Sequence, residues 1–431
     1  MLLAAASGAN AQPAPMPSSG EFDVERYAVS IRPDLATTAM SGTETIVLRA
    51  TSNGVTRLMF SPNALRISEA TIDGAAASVS LGKDEIAFHL PRALRKGSKA
   101  TLRFRMAGTP ARGVTTVPGG IYTGYFACDW MVCLQDAPGD KAHLALDLFL
   151  PAEVEAIGVG RATPATASSN GLVLHRWRST RPYSPYLYAF AAGSFVRETV
   201  RTAQGELIHL NATGTKADLA ELFASTPAIT AFFADKAGMP LPDRRYMQLL
   251  VPGREAQEAA SFSLIGTGEL DRERADPSSA WIIAHELAHQ WWGNLVTCAT
   301  WRDFWLNEGI ATFMVAAWKE HEQGPAAYAR ELDIARRRVE RVREQGFDKP
   351  LAWDGKYPSL GARRAVQYSK GARFLAHLRD TVGDAAFWAG LRSYTRRHAG
   401  GTVTSKDFQN AMERASGRDL SPTFAEWVYG E

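Results

Sequence analysis

The sequence predicts an α+β fold, in which an N-terminal antiparallel β-sheet domain precedes a mostly helical domain. Up to about residue 212, short apolar or alternating runs are separated by turn-forming Gly, Asn and Pro residues. From about residue 213, apolar residues recur at helical spacing instead. The 431 residues are 45% hydrophobic, which is enough apolar material for two or three domains.

The first 20 residues are rich in Ala, Pro and Ser, and we predict a tail that contains a signal-peptide remnant. Residues 2–6 are apolar, and Ala9-Asn10-Ala11 has small side chains at the two positions that a signal peptidase recognises. The basic segment that opens a signal peptide is missing, so the numbering would begin inside the signal. The alternative is a disordered Ala/Pro tail. We expect a periplasmic or secreted protein rather than a cytoplasmic one, without a transmembrane segment.

The β domain is predicted to occupy residues 21–212 and the helical domain residues 213–431. Clear strand patterns in the first domain lie near residues 45–48, 100–105 and 144–150. The second domain has one strand near residues 246–251 and helices near residues 216–238, 278–292, 303–322, 325–345, 365–382, 384–398 and 405–416.

Charge and cysteine content exclude some classes of protein. The formal net charge of +3 gives no indication of nucleic-acid binding. On one extended strand, Cys128 and Cys133 would be about 16 Å apart, whereas a disulfide needs Cα atoms within about 7 Å. No disulfide framework is predicted, although a turn between these two cysteines would allow a bridge.

The helix near residues 278–292 contains the sequence HELAH, from His285 to His289. Residues i and i+4 share one helix face, so both histidines can bind the same metal ion, while Glu286 is rotated towards a metal-bound water. Glu308, in the next helix, would be the third ligand. Two imidazoles and one carboxylate leave a fourth position open, as in a catalytic zinc site. We therefore predict one Zn²⁺ per chain.

The bland alternative is a surface helix that happens to carry two histidines. Apolar neighbours such as Ile282, Leu287 and Trp291 instead indicate a buried helix. Burying two histidines and a glutamate without a partner is costly, and a metal ion would remove that cost. In the following helix, Asp303 is the candidate N-terminal cap and Gly324 the candidate end.

The segments HELAHQWWGN (residues 285–294) and WLNEGIA (residues 305–311) resemble the zinc signatures of the aminopeptidase N and leukotriene hydrolase family of gluzincins. Residues 136–138 with 141–142, residues 185–190 and residues 368–371 resemble further landmarks of this family, so the similarity runs from about residue 23 to the end. The resemblance implies a thermolysin-like catalytic domain. It also implies that the C-terminal helical domain of longer members is absent, which would leave a more open cleft.

The resemblance assigns roles to individual residues. It makes His285, His289 and Glu308 the zinc ligands and Glu286 the general base and acid. It gives Tyr368 the role of stabilising the transition state, for which the alternative is a tyrosine packed in the core.

The sequence departs from the family pattern where the substrate's amine should bind. A glutamate in the family's Gly-Ala-Met-Glu-Asn strand binds that amine, and alignment on residues 264–265 puts Ala260 in its place, next to Ser261. Glu258 lies two residues earlier, about 6.6 Å along an extended strand and on the same face. Glu258 could substitute in part, or it could be an exposed surface glutamate. The candidate substrate-binding residues are therefore Glu258, Ala260 and Ser261.

Two further family residues lack counterparts. The amine-binding glutamine of the β domain has none near residues 122–124, and the carboxylate seven residues after the third ligand is Val315 here. Losing such an outer-shell partner typically costs ~10–100-fold in metal affinity or activity. Either a backbone carbonyl replaces it or zinc is held less tightly.

The leading functional prediction is a zinc-dependent peptidase acting on peptides, with aminopeptidase activity as the family default. The first alternative is an endopeptidase or atypical peptidase, because Ala260 removes the demand for a free amine. The second is a non-catalytic binding protein on the same scaffold. The presence of Glu286, which binds no metal, argues against that second alternative.

Overall fold

The computed structural model describes residues 20–276 and 280–430. The predicted signal remnant therefore lies outside the described residues, apart from Gly20. Within the described ranges, no helix is both long enough and apolar enough to cross a membrane.

The N-terminal part consists almost entirely of strands. Their bounds are β1 (Phe22–Pro33), β2 (Met40–Ala50), β3 (Val55–Phe60), β4 (Arg66–Ile72), β5 (Ala75–Ala76), β6 (Ser78–Leu81), β7 (Ile86–Leu94), β8 (Lys99–Gly108), β9 (Val114–Val117), β10 (Gly120–Thr123), the short helix α1 (Ala127–Trp130), β11 (His143–Pro151), β12 (Glu155–Gly158), β13 (Arg161–Ala167), β14 (Leu172–Arg178) and β15 (Phe190–Gly193). One sheet has the order β13-β14-β11-β1-β2-β8-β4-β5, a second β12-β15-β10-β9 and a third β3-β7-β6. Within the first sheet, β1 and β11 pair in parallel, and the other neighbouring pairs are antiparallel.

The rest of the described chain is mostly helical. Its elements are β16 (Val196–Thr202), β17 (Gly205–Asn211), α2 (Leu219–Leu222), α3 (Thr226–Ala237), β18 (Arg245–Val251), β19 (Ala256–Ala259), β20 (Phe262–Gly266), α4 (Thr267–Ala275), α5 (Ile282–Ala288), β21 (Thr297–Cys298), α6 (Trp305–Gln323), α7 (Pro325–Glu344), α8 (Leu360–Arg363), a π-helical segment (Arg364–Lys370), α9 (Gly371–Val382), α10 (Asp384–Arg397), β22 (Thr402–Val403), α11 (Ser405–Ser416), α12 (Ser421–Phe424) and a second π-helical segment (Ala425–Tyr429). The predicted α+β fold class, with strands first and helices second, is confirmed.

A five-stranded sheet, in the order β16-β17-β18-β20-β19, lies between two hydrophobic cores. Successive side chains of a strand point to opposite faces. In β18, Met247 and Leu249 accordingly belong to the core of the strand-rich part, whereas Tyr246 and Leu250 belong to the core of the helices. One face of the sheet thus packs against the helices of the candidate site, and the other face packs against the strand-rich part.

This sheet also affects the predicted domain boundary. β17 precedes residue 212, yet it pairs in parallel with β18, which follows that residue. Dividing the chain after residue 212 would therefore separate strands that share hydrogen bonds. Two domains remain our proposal, and the pairing favours a boundary between Phe195 and Val196.

Cys128 and Cys133 form a disulfide with Cα atoms 5.0 Å apart. The sequence left this bridge open, and it forms because the segment begins with the helical turn α1 instead of an extended strand. Asn63 supports the loop by donating hydrogen bonds from Nδ2 to the carbonyls of Cys128 and Met131, at 2.9 and 3.1 Å. Cys298 is a free, buried cysteine.

Replacing both bridged cysteines by serine is expected to reduce the free energy of unfolding by about 2 kcal/mol. The bridge closes a loop of six residues, and the loss of chain entropy on closing so short a loop has roughly that size. Urea unfolding of the double variant and of the wild type, each with and without reductant, measures the difference. A reductant that shifts the unfolding midpoint of both proteins equally would contradict this role of the bridge.

Candidate active site

Helices α5 and α6 bring together the three predicted metal ligands. Nε2 of His285 lies 3.1 Å from Nε2 of His289. Oε2 of Glu308 lies 3.3 Å from the first of these nitrogens and 3.4 Å from the second. All three residues are buried, as the apolar pattern of the HELAH helix predicts.

This triangle of atoms fits a zinc ion. Ligand atoms about 2 Å from a tetrahedral centre lie about 3.3 Å from one another. Two imidazole nitrogens and one carboxylate oxygen are also a donor set typical of catalytic zinc. In addition, the buried Oε2 of Glu308 has no hydrogen-bond partner among the described residues, so it faces the histidines without bonding to either.

The charges around the triangle also favour a cation. Burial opposes a charged imidazole, but the carboxylates of Glu308 and Glu258 outweigh it and raise the pKa of His289 to about 10. Burial likewise opposes ionisation of Glu308, yet His289 and His285 hold the pKa of this carboxyl well below its usual range. The buried carboxylates thus favour positive charge beside His289, which a bound divalent ion would supply.

A backbone carbonyl orients one of the histidines. The Trp292 oxygen lies 3.0 Å from Nδ1 of His289, so Nδ1–H donates to it and Nε2 remains for the metal. Gly293 has φ +131°, and a Cβ added there would lie 2.9 Å from Nδ1 of His289. Val315 is buried among the helices and offers no polar group. Of the two alternatives for the missing carboxylate, the structure contains the backbone carbonyl, at His289.

Glu286 lies beside the triangle without belonging to it. A carboxylate oxygen of Glu286, a carboxylate oxygen of Glu258 and a ring nitrogen of His289 all lie within 4.8 Å of one another. Burial raises the pKa of Glu286 well above its usual range, and His289 offsets part of that increase. The side chain therefore has a high affinity for a proton directly beside the predicted metal ligands.

Tyr368 approaches the triangle from the π-helical segment. Its ring stacks on that of His285, with centroids 5.8 Å apart and planes inclined by 10°. Close contact of two helices allows this approach, because a Cβ at Gly371 would lie 2.8 Å from the Cα of Gly309. Burial raises the pKa of Tyr368 well above its usual range, so its hydroxyl remains a hydrogen-bond donor at neutral pH.

Glu258 points into the site from strand β19. Its side chain is only 9% exposed, which rules out the alternative of a surface glutamate. Burial raises the pKa of Glu258 to about 7, even though His289 lowers it. The structure thus brings together His285, His289, Glu308, Glu286, Tyr368 and Glu258.

Ala260 and Ser261 lie in the tight turn between β19 and β20, instead of on an extended strand. Ser261 has φ +74°, and its Oγ accepts from the Gly160 amide at 3.0 Å, on the side of the strand-rich part. The backbone N–H of Ala260 donates to the Leu187 carbonyl. The structure therefore does not bring these two side chains to the catalytic groups.

The turn that follows the HELAH helix also holds strand β19 in place. Gln290 donates to the Ala259 carbonyl at 3.2 Å and accepts from the Ser261 amide at 3.2 Å. Asn294 donates to the same Ala259 carbonyl at 3.0 Å. Both amides are buried, so the position of Glu258 relative to the metal ligands is fixed by hydrogen bonds that the sequence alone did not reveal.

Related sequences are known over most of the chain. The model of the "Peptidase family M1 domain" matches residues 260–427, a range that includes the three predicted ligands and Tyr368. Aminopeptidase N of Lactococcus lactis subsp. lactis is 26% identical over 84% of this chain, and aminopeptidase N of Lactobacillus delbrueckii subsp. lactis is 26% identical over 94%. These alignments cover 46% and 50% of the two relatives, so the chain spans about half their length.

Solved structures match over nearly the whole chain. A mutant M1 zinc metallopeptidase from Deinococcus radiodurans, bound to a Tyr-Ser-Ala substrate, has a TM-score of 0.80 and 26% identity. The match covers 97% of this chain and 96% of that one. The chain is thus similar to M1 zinc metallopeptidases over nearly its whole length. A two-domain M1 metallopeptidase bound to L-tryptophan matches equally well, with a TM-score of 0.80.

The predicted family landmarks outside the zinc helices connect the strand-rich part to the site. Nζ of Lys141 donates to the carbonyls of Asn294, Leu295 and Gly401, at 3.1, 2.9 and 3.0 Å. Asn307, next to Glu308, donates from Nδ2 to the Tyr186 hydroxyl at 3.0 Å. These segments therefore connect the strand-rich part to the turn after the HELAH helix and to the helix of Glu308.

Two contacts near the site differ from, or were absent from, the expectations drawn from the sequence. Asp303 does not cap α6. Its carboxylate accepts from the backbone amide of Ser405 at 3.1 Å, whereas Gly324, with φ +84°, ends that helix as predicted.

The sequence did not point to Tyr125 as a residue near the site. Its hydroxyl donates to the Ala256 carbonyl in β19, and its backbone N–H donates to Gln257 at 2.8 Å. Tyr125 is 44% exposed. Its φ of +53° is uncommon for tyrosine, but a backbone angle can single out the residue only after the structure is known.

Proposed function

We propose that this chain is a zinc-dependent aminopeptidase, which releases residues from the amino terminus of peptides. The observation that carries the proposal is the buried Glu258 carboxylate beside Glu286 and His289. A buried carboxylate at this place can bind a protonated α-amine, and only a free amino terminus supplies one. Relatives with the name aminopeptidase N support the same activity.

The metal site is proposed to hold one Zn²⁺ per chain, bound by His285, His289 and Glu308. When bound, zinc lowers the pKa of a water molecule towards ~7 and polarises a carbonyl. Glu286 accepts the proton from the attacking water and later donates it to the leaving amine. The pKa of Glu286, raised by burial, suits a group that must both take up and release a proton.

Tyr368 is proposed to donate a hydrogen bond to the oxygen of the scissile carbonyl. Negative charge develops on that oxygen as the carbon becomes tetrahedral, so the donor stabilises the transition state more than the ground state. The stacked contact with His285 holds the ring near the metal ligands. Glu258 meanwhile fixes the amino end, which places the first peptide bond next to Glu286.

An extracytoplasmic location is part of the proposal. The Cys128–Cys133 bridge supports it, because disulfides persist mainly in oxidising compartments. The small residues of Ala9-Asn10-Ala11 agree with processing by a signal peptidase.

Peptides with a free or an acetylated amino terminus test the role of Glu258. The zinc-loaded wild type is expected to release residues one at a time from free peptides and to leave acetylated ones intact. Glu258→Gln is expected to reduce kcat/KM for free peptides about 100-fold, because a buried charge pair loses one partner. Mass spectrometry of all products gives both the rates and the cleavage positions.

Glu255→Gln is a matched control, since Glu255 lies three residues earlier and outside the group of metal-binding carboxylates. It is expected to keep near wild-type rates. Internal cleavage of acetylated peptides by the wild type would favour the endopeptidase alternative. If the zinc-loaded chain binds peptides and cuts none of them, the non-catalytic alternative replaces our proposal.

A further inference from the structure

A cavity of about 560 Å³ lies between the strand-rich part and the chain segment 239–244, which precedes β18. Arg161, Thr180 and Arg181 line one side of it, and residues 239–244 line the other. Cavities of ~300–1,000 Å³ are of the size that binds small molecules. The lining includes none of the proposed zinc ligands and none of the residues that act in the proposed mechanism, so this cavity is a separate candidate site.

The lining of the cavity is positively charged. It contains three guanidinium groups, those of Arg161, Arg181 and Arg244, and one carboxylate, that of Asp243, which leaves a formal charge of +2. In the ranges 20–276 and 280–430, no carboxylate lies within ion-pair distance of Arg161 or Arg244, whereas Arg181 lies 3.0 Å from Asp243. Like charges that share a cavity repel each other, and a bound anion would remove that repulsion.

Asp243 cannot neutralise the other two arginines, because its carboxylate already has partners. Its side chain is only 3% exposed. Oδ1 accepts from Nε of Arg181 at 3.1 Å and from the Thr180 hydroxyl, and Oδ2 accepts from the Tyr183 hydroxyl at 2.9 Å. Asp243 therefore holds Arg181 at the cavity, and the positive charge of Arg161 and Arg244 remains for a ligand.

Arg161 and Arg244 are held at the cavity by backbone carbonyls. Nη2 of Arg161 donates to the Asp243 carbonyl at 3.3 Å, and Nη2 of Arg244 donates to the Ala203 carbonyl at 3.0 Å. A guanidinium group has five N–H donors, so each arginine keeps donors for a ligand. Side chains that are already placed lose less conformational entropy when they bind a ligand, which favours affinity.

The backbone at this wall of the cavity adopts an unfavourable conformation. Asp243 and Arg244 have φ values of +60° and +56°, in the left-handed region that residues other than glycine rarely occupy. The Arg244 backbone also packs closely on Gly205, where an added Cβ would lie 2.3 Å from the Arg244 carbonyl oxygen. Such conformations cost free energy and cluster at ligand sites, where the surrounding structure enforces them. Here they occur at two of the charged residues of the lining.

We propose that this cavity binds a phosphate group, either as the free ion or as the ester of a small molecule. A phosphate monoester carries about −1.5 to −2 charges at pH 7 and three acceptor oxygens, which matches the charge of +2 and the unused arginine donors. Guanidinium and phosphate groups form paired, charge-assisted hydrogen bonds. The volume far exceeds the ~30 Å³ of one water molecule, so an ester group has room beside Met239 and Leu241. The inference is independent of the proposed peptidase function.

Calorimetry with inorganic phosphate and with phenyl phosphate tests this inference. The wild type, loaded with one equivalent of zinc, is expected to bind phosphate with a Kd of about 1 mM, an affinity limited by the exposure of the arginines. The double variant Arg161→Gln/Arg244→Gln should weaken the binding of both probes about tenfold or more, because it removes two charged donors. Tighter binding of phenyl phosphate would identify an ester as the preferred ligand, and equal binding would identify the free ion. Chloride keeps the ionic strength constant in all titrations.

Two further double variants serve as controls. Arg103→Gln/Arg330→Gln removes two exposed arginines outside the cavity, changes the net charge by the same amount and should keep the wild-type Kd. Arg161→Lys/Arg244→Lys keeps the charge at the cavity and should keep part of the affinity. Melting temperatures in chloride show whether each variant is folded.

Three results would overturn the assignment. Equal binding of phosphate by the wild type and by Arg161→Gln/Arg244→Gln would mean that phosphate binds at the metal ion or elsewhere on the chain. An equal loss of affinity in Arg103→Gln/Arg330→Gln would mean that phosphate responds only to the net charge of the protein. Absence of any binding by the wild type at about 10 mM phosphate, about tenfold above the expected Kd, would also contradict the proposal.

Discussion

Glu286→Gln is expected to lower kcat for peptide hydrolysis by about 10²–10⁴-fold, the usual contribution of a positioned acid–base group. Glutamine keeps the shape of the side chain and cannot accept the proton of the attacking water. Glu286 binds no metal in our assignment, so the zinc content should stay at one ion per chain. Single-turnover rates and metal analysis on the same preparation measure the two quantities.

Glu322→Gln, at the exposed end of α6, serves as the control and should leave the rate unchanged. A Glu286→Gln protein that retains more than a tenth of the wild-type rate would require another base. The alternative base in the site is Glu258, the other buried carboxylate close to His289. A double variant would then lose the remaining activity.

Glu308→Ala is expected to abolish both zinc retention and activity. It removes one of three protein ligands, so its effect should exceed the ~10–100-fold that loss of an outer-shell partner causes. Zinc that binds only the folded chain stabilises it, by about 4 kcal/mol when the free ion is a thousand times its Kd. Adding zinc should therefore raise the melting temperature of the wild type and leave that of Glu308→Ala unchanged.

The wild type treated with a chelator is the reference for this variant. Both should melt at similar temperatures in the absence of metal, although the alanine also removes a buried carboxylate. Full activity of the chelated wild type, with metal analysis confirming the loss of zinc, would contradict the assignment of the site.

The catalytic helices could be predicted from sequence because their information is local. Spacing of four residues puts His285 and His289 on one helix face whatever the rest of the fold does. The distance of Glu308 from them depends on how α5 and α6 pack, and here the resemblance of the WLNEGIA segment supplied what spacing could not. The helix ends were also predictable, as Gly324 shows.

The strand proposed to bind the substrate amine could not be aligned from sequence, for a physical reason. Anchoring on residues 264–265 assumed one extended strand back to Glu258. The chain reverses at Ala260 and Ser261, with Ala259 opposite Phe262 in an antiparallel pair. A tight turn breaks the regular two-residue repeat, so an anchor on one side of it does not fix the residues on the other side. The positive φ of Ser261 is unusual for serine, and no turn signal such as Asn-Gly occurs at this position of the sequence.

Contacts between distant segments were likewise beyond prediction. Tyr125 and Glu258 are 133 positions apart, and only the folded chain shows that Tyr125 bonds to the strand that carries Glu258. The disulfide was left open for a similar reason, since the spacing of Cys128 and Cys133 allows a bridge only if the backbone turns between them. Local sequence did not decide whether it turns.

The five-stranded sheet makes each half of the chain depend on the other to bury its apolar side chains. Alternate side chains of β18 complete two different cores, so neither half of the chain can lose the other without exposing an apolar face such as Met247 and Leu249 to water. Neither half therefore keeps its core covered when the other is removed, and a substitution on either face of β18 is constrained by the core on that side.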